Sequence, residues 1–136
     1  MDTLRCAILL AKLDLFEWNP EKRREIGNYY NICMDRENVS RVFQSSDRSS
    51  VYGQCTIFSK DRISISENLN VENIQTANHY PRPLGEQPVY QRFYSENDTP
   101  VASEASEQFL CLPMSPYLSQ SGLNRAVSMT SSKTAP

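Results

Sequence analysis

Between residues 3 and 17 the apolar side chains Leu4, Ile8, Leu9, Ala11, Leu13, Leu15 and Phe16 recur with the spacing of one broad helical stripe. Thr3 can cap its start. The triplet Trp18-Asn19-Pro20 breaks that helix and at once offers Asn19 as the cap of a second, with Pro20 at the first helical position and Glu21 at its positive end. The second stretch turns Ile26, Tyr29, Tyr30 and Cys33 to one side, and Gly27 weakens it by about 1 kcal/mol relative to alanine. Leu4, Ile8, Leu15 and Ile26 are expected to share the inner face of the resulting helical hairpin. From Val51 the period shortens to two. Val51, Gly53, Cys55 and Ile57 alternate with Tyr52, Gln54, Thr56 and Phe58, and after Ser59-Lys60-Asp61 the alternation resumes at Ile63 and Ile65, which predicts a short β-hairpin. The Ser-rich segment 44–50 reads as the loop that joins helix to hairpin.

Near residue 76 the pattern changes. Seven of the eight prolines lie between Pro81 and Pro136, and the run from His79 to Tyr90 favours an extended, polyproline-like backbone. Tyr80, Tyr90, Phe93 and Tyr94 stand along it as aromatic anchors suited to a partner's groove. From Thr99 onward the chain is rich in Ser and Thr, with one apolar island, Phe109-Leu-Cys-Leu-Pro-Met114. Leu, Ile, Val and Phe make up 30 of 136 residues, about 22%, close to the roughly 20% below which burial fails to offset chain entropy. The expected fold is therefore mostly irregular or disordered. Residues 1–66 would hold a small helical hairpin with a short β-hairpin (α+β), and residues 67–136 a disordered, Pro/Ser-rich interaction tail.

Charge and composition narrow the function classes. Fourteen basic residues nearly cancel sixteen acidic ones, which argues against nucleic acid as a partner. The run Lys22-Arg23-Arg24, flanked by Glu21 and Glu25, reads as a solvated helix face. The four cysteines, Cys6, Cys33, Cys55 and Cys111, lack CxxC spacing and a nearby histidine, so no metal site is expected. The apolar run 6–11 is too short for a membrane span, and with Asp2 before it and Lys12, Asp14 and Glu17 after it the segment is a poor secretory signal. Reduced thiols in the cytoplasm, with nuclear entry left open, follow from that reading, and Asn38-Val39-Ser40 becomes a chance glycosylation tripeptide. His79 is the single histidine and lacks a nucleophile beside it, and the four glycines are too dispersed for a phosphate loop. Neither catalytic residues nor a cofactor are expected.

Short motifs remain. Pro113-Met-Ser-Pro116 resembles a site for proline-directed, mitogen-activated kinases, and Leu112-Pro-Met-Ser-Pro116 is similar to the phosphorylated activation-domain motif of STAT transcription factors. Leu123-Asn-Arg-Ala-Val-Ser128 resembles a basophilic kinase site, so Ser115 and Ser128 are the candidate phosphosites. Tyr29-Tyr-Asn31 and Tyr117-Leu-Ser-Gln120 resemble SH2 ligands. Arg62-Ile-Ser-Ile-Ser66 resembles the β-addition motif of calcineurin substrates, with Asp61 where that motif has proline, and Phe109-Leu-Cys-Leu-Pro113 is similar to the second calcineurin docking motif, with Leu112 in place of valine. Ile63, Ile65, Phe109, Leu110, Leu112 and Pro113 would then contact a phosphatase; the plainer alternative makes the isoleucines hairpin core. The sequence thus predicts a non-enzymatic adaptor or regulatory protein whose phosphorylatable tail binds a larger folded partner, a phosphatase or kinase. A filament- or microtubule-associated chain and a small secreted disulfide-bonded domain are the alternatives.

Overall fold

The computed structural model describes residues 2–34, 39–95 and 98–131, and within them the chain is folded throughout. Five helices, α1 (Thr3–Leu13), α2 (Trp18–Cys33), α3 (Arg62–Val71), α4 (Pro100–Gln108) and α5 (Gln120–Ser131), accompany three strands, β1 (Ser40–Arg41), β2 (Cys55–Phe58) and β3 (Phe109–Leu112). The strands form one antiparallel sheet in the order β1-β2-β3, with Ile57 opposite both Arg41 and Leu110. One residue outside the strands extends it, because Ala77 and Cys111 exchange backbone hydrogen bonds of 3.1 and 2.8 Å.

The core explains why the chain folds despite its thin supply of apolar residues. Cys55 and Ile57 of β2 and Leu110 and Leu112 of β3 turn toward Ile26 and Tyr30 of α2, Ile65 and Leu69 of α3, and Leu123 and Ala126 of α5. Successive strand residues point to opposite faces, so this pairing puts four apolar side chains on one face for three helices to cover. The expected disorder of residues 67–136 is thus overturned. That half supplies Leu69, Leu110, Cys111, Leu112, Leu123 and Ala126, all buried, and its apolar island forms β3, the outer strand paired with β2.

The expected β-hairpin is also corrected. β2 forms where the alternation begins, but its partners are β1 and β3, and Ile63 and Ile65 lie in α3. The spacing of Ile65 and Leu69, i and i+4, places both on the buried side of that helix while Ile63 faces out. Both N-terminal helices form, with different boundaries and packing from those expected. Asp2 rather than Thr3 caps α1, accepting from the Leu4 amide at 3.3 Å, and residues 14–17 turn before α2 begins at Trp18. No residue of α1 is buried, so Leu4, Ile8 and Leu15 do not join Ile26 in a shared inner face.

Polar links tie the C-terminal half to α2. Tyr30 is wholly buried and its hydroxyl donates to the Pro113 carbonyl at 3.2 Å; burial raises its pKa above the ordinary tyrosine value. Tyr29 donates to Asn124 Oδ1 at 2.5 Å. The basic run divides: Lys22 pairs with Glu25 and Arg24 with Glu21 on the surface, whereas Arg23 turns inward and donates to the Met114 carbonyl at 2.7 Å. Arg125 joins α5 to the end of α3 through the carbonyl and carboxylate of Glu72, at 2.7 and 2.8 Å. Among the described residues no helix is long and apolar enough to cross a membrane. Asn38 of the glycosylation tripeptide lies outside the described residues.

Candidate functional site

Strand β3 organises the part of the surface richest in ligand-binding chemistry. Its hydrogen bonds to Ala77 pin the chain against the sheet, and from there the segment Asn78-His79-Tyr80-Pro81-Arg82-Pro83 leaves the body of the fold. The chain bends at His79, Pro81 and Arg82, is extended at Pro83, and then enters the short 3-10 turn Leu84–Glu86, so the polyproline-like run expected from His79 to Tyr90 does not form. A tyrosine then locks that turn. The Tyr94 ring packs directly over Gly85, where any Cβ would collide with it, and its hydroxyl meets Thr99 Oγ1 at 2.9 Å. Ser103 of α4 donates to the Glu86 carboxylate.

At the root of this segment lies a cleft of about 270 Å³ lined by Arg62, Ser66, Glu67, Thr76 and Asn78. Ser66 and Thr76 share a hydroxyl hydrogen bond of 3.0 Å across its floor. The Asn78 side-chain oxygen is enclosed and has no hydrogen-bond partner among the described residues. Such an acceptor favours a ligand that brings a hydroxyl or amine donor. Next in sequence after Asn78, the exposed His79 and Tyr80 rings lie 6.2 Å apart and edge to face, and the exposed Arg82 follows them. The ensemble offers hydroxyls and an amide for a polyol, aromatic faces for a ring, and guanidinium groups for an anion. It contains no paired nucleophile and base.

The residues singled out from sequence distribute differently. Tyr80, Tyr90 and Phe93 are exposed and Tyr94 is half-buried against Gly85; none of the four aromatic anchors lines the cleft, and Tyr80 is the nearest to it in sequence, two residues after Asn78. Arg92 stacks on the Phe93 ring, 4.6 Å from its centre. Ser115 is half-buried and accepts from the Tyr117 amide at 3.3 Å, while Ser128 lies on the exposed side of α5 and donates to the Arg125 carbonyl at 2.9 Å. Of the docking candidates, Ile65, Leu110 and Leu112 are core residues, Phe109 and Pro113 are half-buried, and Ile63 is exposed on α3 near the cleft. Sequence reasoning named Arg62 and Ser66 only as the ends of a docking motif and did not select Thr76 or Asn78. Nothing in their local pattern brings positions 62–66 and 76–78 together; the packing of α3 beside β3 does.

The sequence profile described as the DegT/DnrJ/EryC1/StrS aminotransferase family matches residues 1–130. The chain is 35% identical over 118 residues to the UDP-2-acetamido-2-deoxy-3-oxo-D-glucuronate aminotransferase of Pseudomonas aeruginosa, covering 87% of this chain and 32% of that protein. It is 29% identical over 127 residues to the dTDP-3-amino-3,6-dideoxy-alpha-D-galactopyranose transaminase of Aneurinibacillus thermoaerophilus, covering 93% of this chain and 35% of the relative. Among solved structures, a DegT DnrJ EryC1 StrS aminotransferase from Brucella abortus superposes with a TM-score of 0.86 at 30% identity, over 96% of this chain and 35% of its own. The chain therefore spans about a third of the length of the curated relatives it matches.

Proposed function

We propose, because the chain belongs to the DegT/DnrJ/EryC1/StrS aminotransferase family, that it forms the substrate-facing α+β portion of an enzyme that transfers an amino group to a nucleotide-linked keto sugar. The expectation of a non-enzymatic, disordered regulatory adaptor is overturned by that membership and by relatives that carry aminotransferase names. Composition misled because it weighed the chemistry of one stretch alone, and an aminotransferase need not hold all of its catalytic groups within a third of its length.

Transamination relies on pyridoxal phosphate carried on a lysine, whose amine becomes nucleophilic when it is desolvated or crowded by other cations. Three lysines fall among the described residues. Lys12 and Lys60 are exposed, and Lys22 is engaged by Glu25 at 2.6 Å. None is enclosed in a cleft, so these residues do not fit the cofactor's attachment point, and no chemical step is assigned to them. The chain's own contribution would be recognition. Asn78, Ser66 and Thr76 would take sugar hydroxyls, the His79 and Tyr80 rings would flank a planar or pyranose ring, and Arg62 or Arg82 would meet the diphosphate.

The family match over residues 1–130 carries this proposal. It is tested by exchanging the matched 118-residue segment of the Pseudomonas aeruginosa relative for this chain and assaying amino transfer to a keto sugar nucleotide. Retained transfer is expected, with Asn78→Ala and Arg82→Ala raising KM about tenfold or more. A chimera that folds and binds pyridoxal phosphate but transfers no amino group would overturn the assignment.

A further inference from the structure

Helix α1 is apolar on most of its circumference and buries nothing. Leu4, Ile8, Leu9, Leu10, Leu13, Leu15 and Phe16 are each 41 to 68% exposed, and Trp18 continues the patch into α2. At about 100° per residue, Leu4 and Ile8 form one strip of α1, Leu9 and Leu13 a second, and Leu10 extends the second further round, while Leu15 and Phe16 carry the apolar surface into the turn of residues 14–17. Arg5 and Lys12 make a narrow polar line between the two strips. A helix that is apolar nearly all round is ordinarily surrounded by protein, and a patch of this extent marks an interaction surface.

The width of the apolar surface indicates the occupant. Pairing with a symmetric copy of itself would cover one stripe of roughly 100° and leave the other strip in water. Covering both strips requires a groove. About two thirds of the length of each curated relative has no counterpart in this chain, and that polypeptide is large enough to build one. We infer that α1 is a docking helix that inserts, on both strips, into the portion of an aminotransferase that this chain does not match; this rests on the family reading above and adds to it the surface by which the two portions join.

The probe is the Pseudomonas aeruginosa relative from which the matched 118-residue segment has been deleted, co-expressed with this chain and followed by light scattering and by amino-transfer assay. A one-to-one complex is expected. Leu9→Asp with Leu13→Asp on one strip, or Ile8→Asp on the other, should each weaken it about a hundredfold, because an unpaired charge would enter an apolar groove. Val101→Asp, on the exposed side of α4, should not. Because α1 contributes nothing to the core, the isolated chain should keep its circular dichroism and unfolding midpoint with each substitution. The chimera described above guards against a deleted relative that does not fold: there the α1 charges should lower the unfolding midpoint, although they leave that of the isolated chain unchanged. Absence of association, association indifferent to both strips, or a homodimer of this chain that excludes the probe would overturn the inference. A complex that depends on α1 but transfers no amino group would uphold docking and remove the catalytic reading. Transfer that survives both sets of charges in the chimera, with its midpoint unmoved, would do the reverse.

Discussion

A methyl group at position 27 would stand 2.5 Å from three ring carbons of Tyr52. Helix propensity alone favours alanine there by about 1 kcal/mol, whereas overpacking against a side chain that does not yield costs about 1–3 kcal/mol. The ring has little freedom. Tyr52 adopts a left-handed backbone (φ 46°), its amide donates to Ser50 Oγ at 3.0 Å, and its hydroxyl accepts from Asn31 at 2.7 Å. Gly27→Ala is therefore expected to destabilise the chain by up to about 2 kcal/mol in urea unfolding; a gain in stability would show that the ring moves aside. The sequence showed the propensity penalty of Gly27 but not its cause, which lies 25 residues away.

Cys55 makes a second prediction at this scale. Burial, reinforced by Cys111 and partly opposed by Arg41, pushes its thiol from 9.0 to about 11. The folded state holds that proton more tightly than the unfolded state, so the stability it confers is complete below pH 9 and is lost as the pH rises toward 11. Between those values the native protein should lose roughly 2 kcal/mol more than a Cys55→Ala variant does, at about 1.4 kcal/mol per unit of pKa shift. Tyr30 also titrates higher than usual, mainly through burial and secondarily through Cys55, so only the smaller, Cys55-dependent part of its shift enters the difference. Identical alkaline profiles would mean that the thiol is not shielded.

At the scale of elements, α1 and β3 exchange the roles that periodicity gave them. The α1 stripe was legible as a helix because spacing reports local geometry, but spacing does not say which surface the stripe meets. Ile8→Asp, which the hairpin reading expects to abolish helix formation, is expected to cost under about 1 kcal/mol in this chain, since Ile8 is 49% exposed. Leu110→Ala, in the segment read as an incidental apolar island, should cost about 2–5 kcal/mol, because Leu110 packs between Ile57 and the helices. Equal losses from the two substitutions would contradict the layer assignment. Strand β3 was hard to recognise because its neighbour in the sheet, β2, lies some fifty residues earlier, and because every residue from Leu110 to Leu112 is buried, which erases the alternation that marks a half-exposed strand.

For the whole molecule the decisive contacts are distant in sequence. The core needs α2 and β2 from one half and β3 and α5 from the other, so a fragment of residues 1–66 would leave Ile26, Tyr30, Cys55 and Ile57 uncovered. Such a fragment is expected to show no cooperative unfolding transition, while the full chain shows one. Slow amide exchange should map to β2, β3 and α5 and faster exchange to α1. The candidate site was legible in part for the same reason. The His79-Tyr80-Pro81-Arg82 segment announces binding chemistry in its composition, but the extended backbone expected from its prolines gives way to bends at 79, 81 and 82 and a 3-10 turn at 84–86. The cleft beneath it could not be read, because Arg62, Ser66, Thr76 and Asn78 become neighbours through α3 and the Ala77 bridge.

That bridge has a bearing on solubility. A three-stranded sheet has two outer margins, and unpaired amides along a margin can recruit strands from other molecules into fibrils. Here one margin is a strand of only two residues ending in Arg41, and the other carries Ala77 on the middle of β3. Neither offers a long flat template. Concentrated protein that clumps should therefore do so through the greasy helix at its start, giving amorphous, detergent-reversible aggregates that fail to bind thioflavin T and are relieved by charges placed on α1.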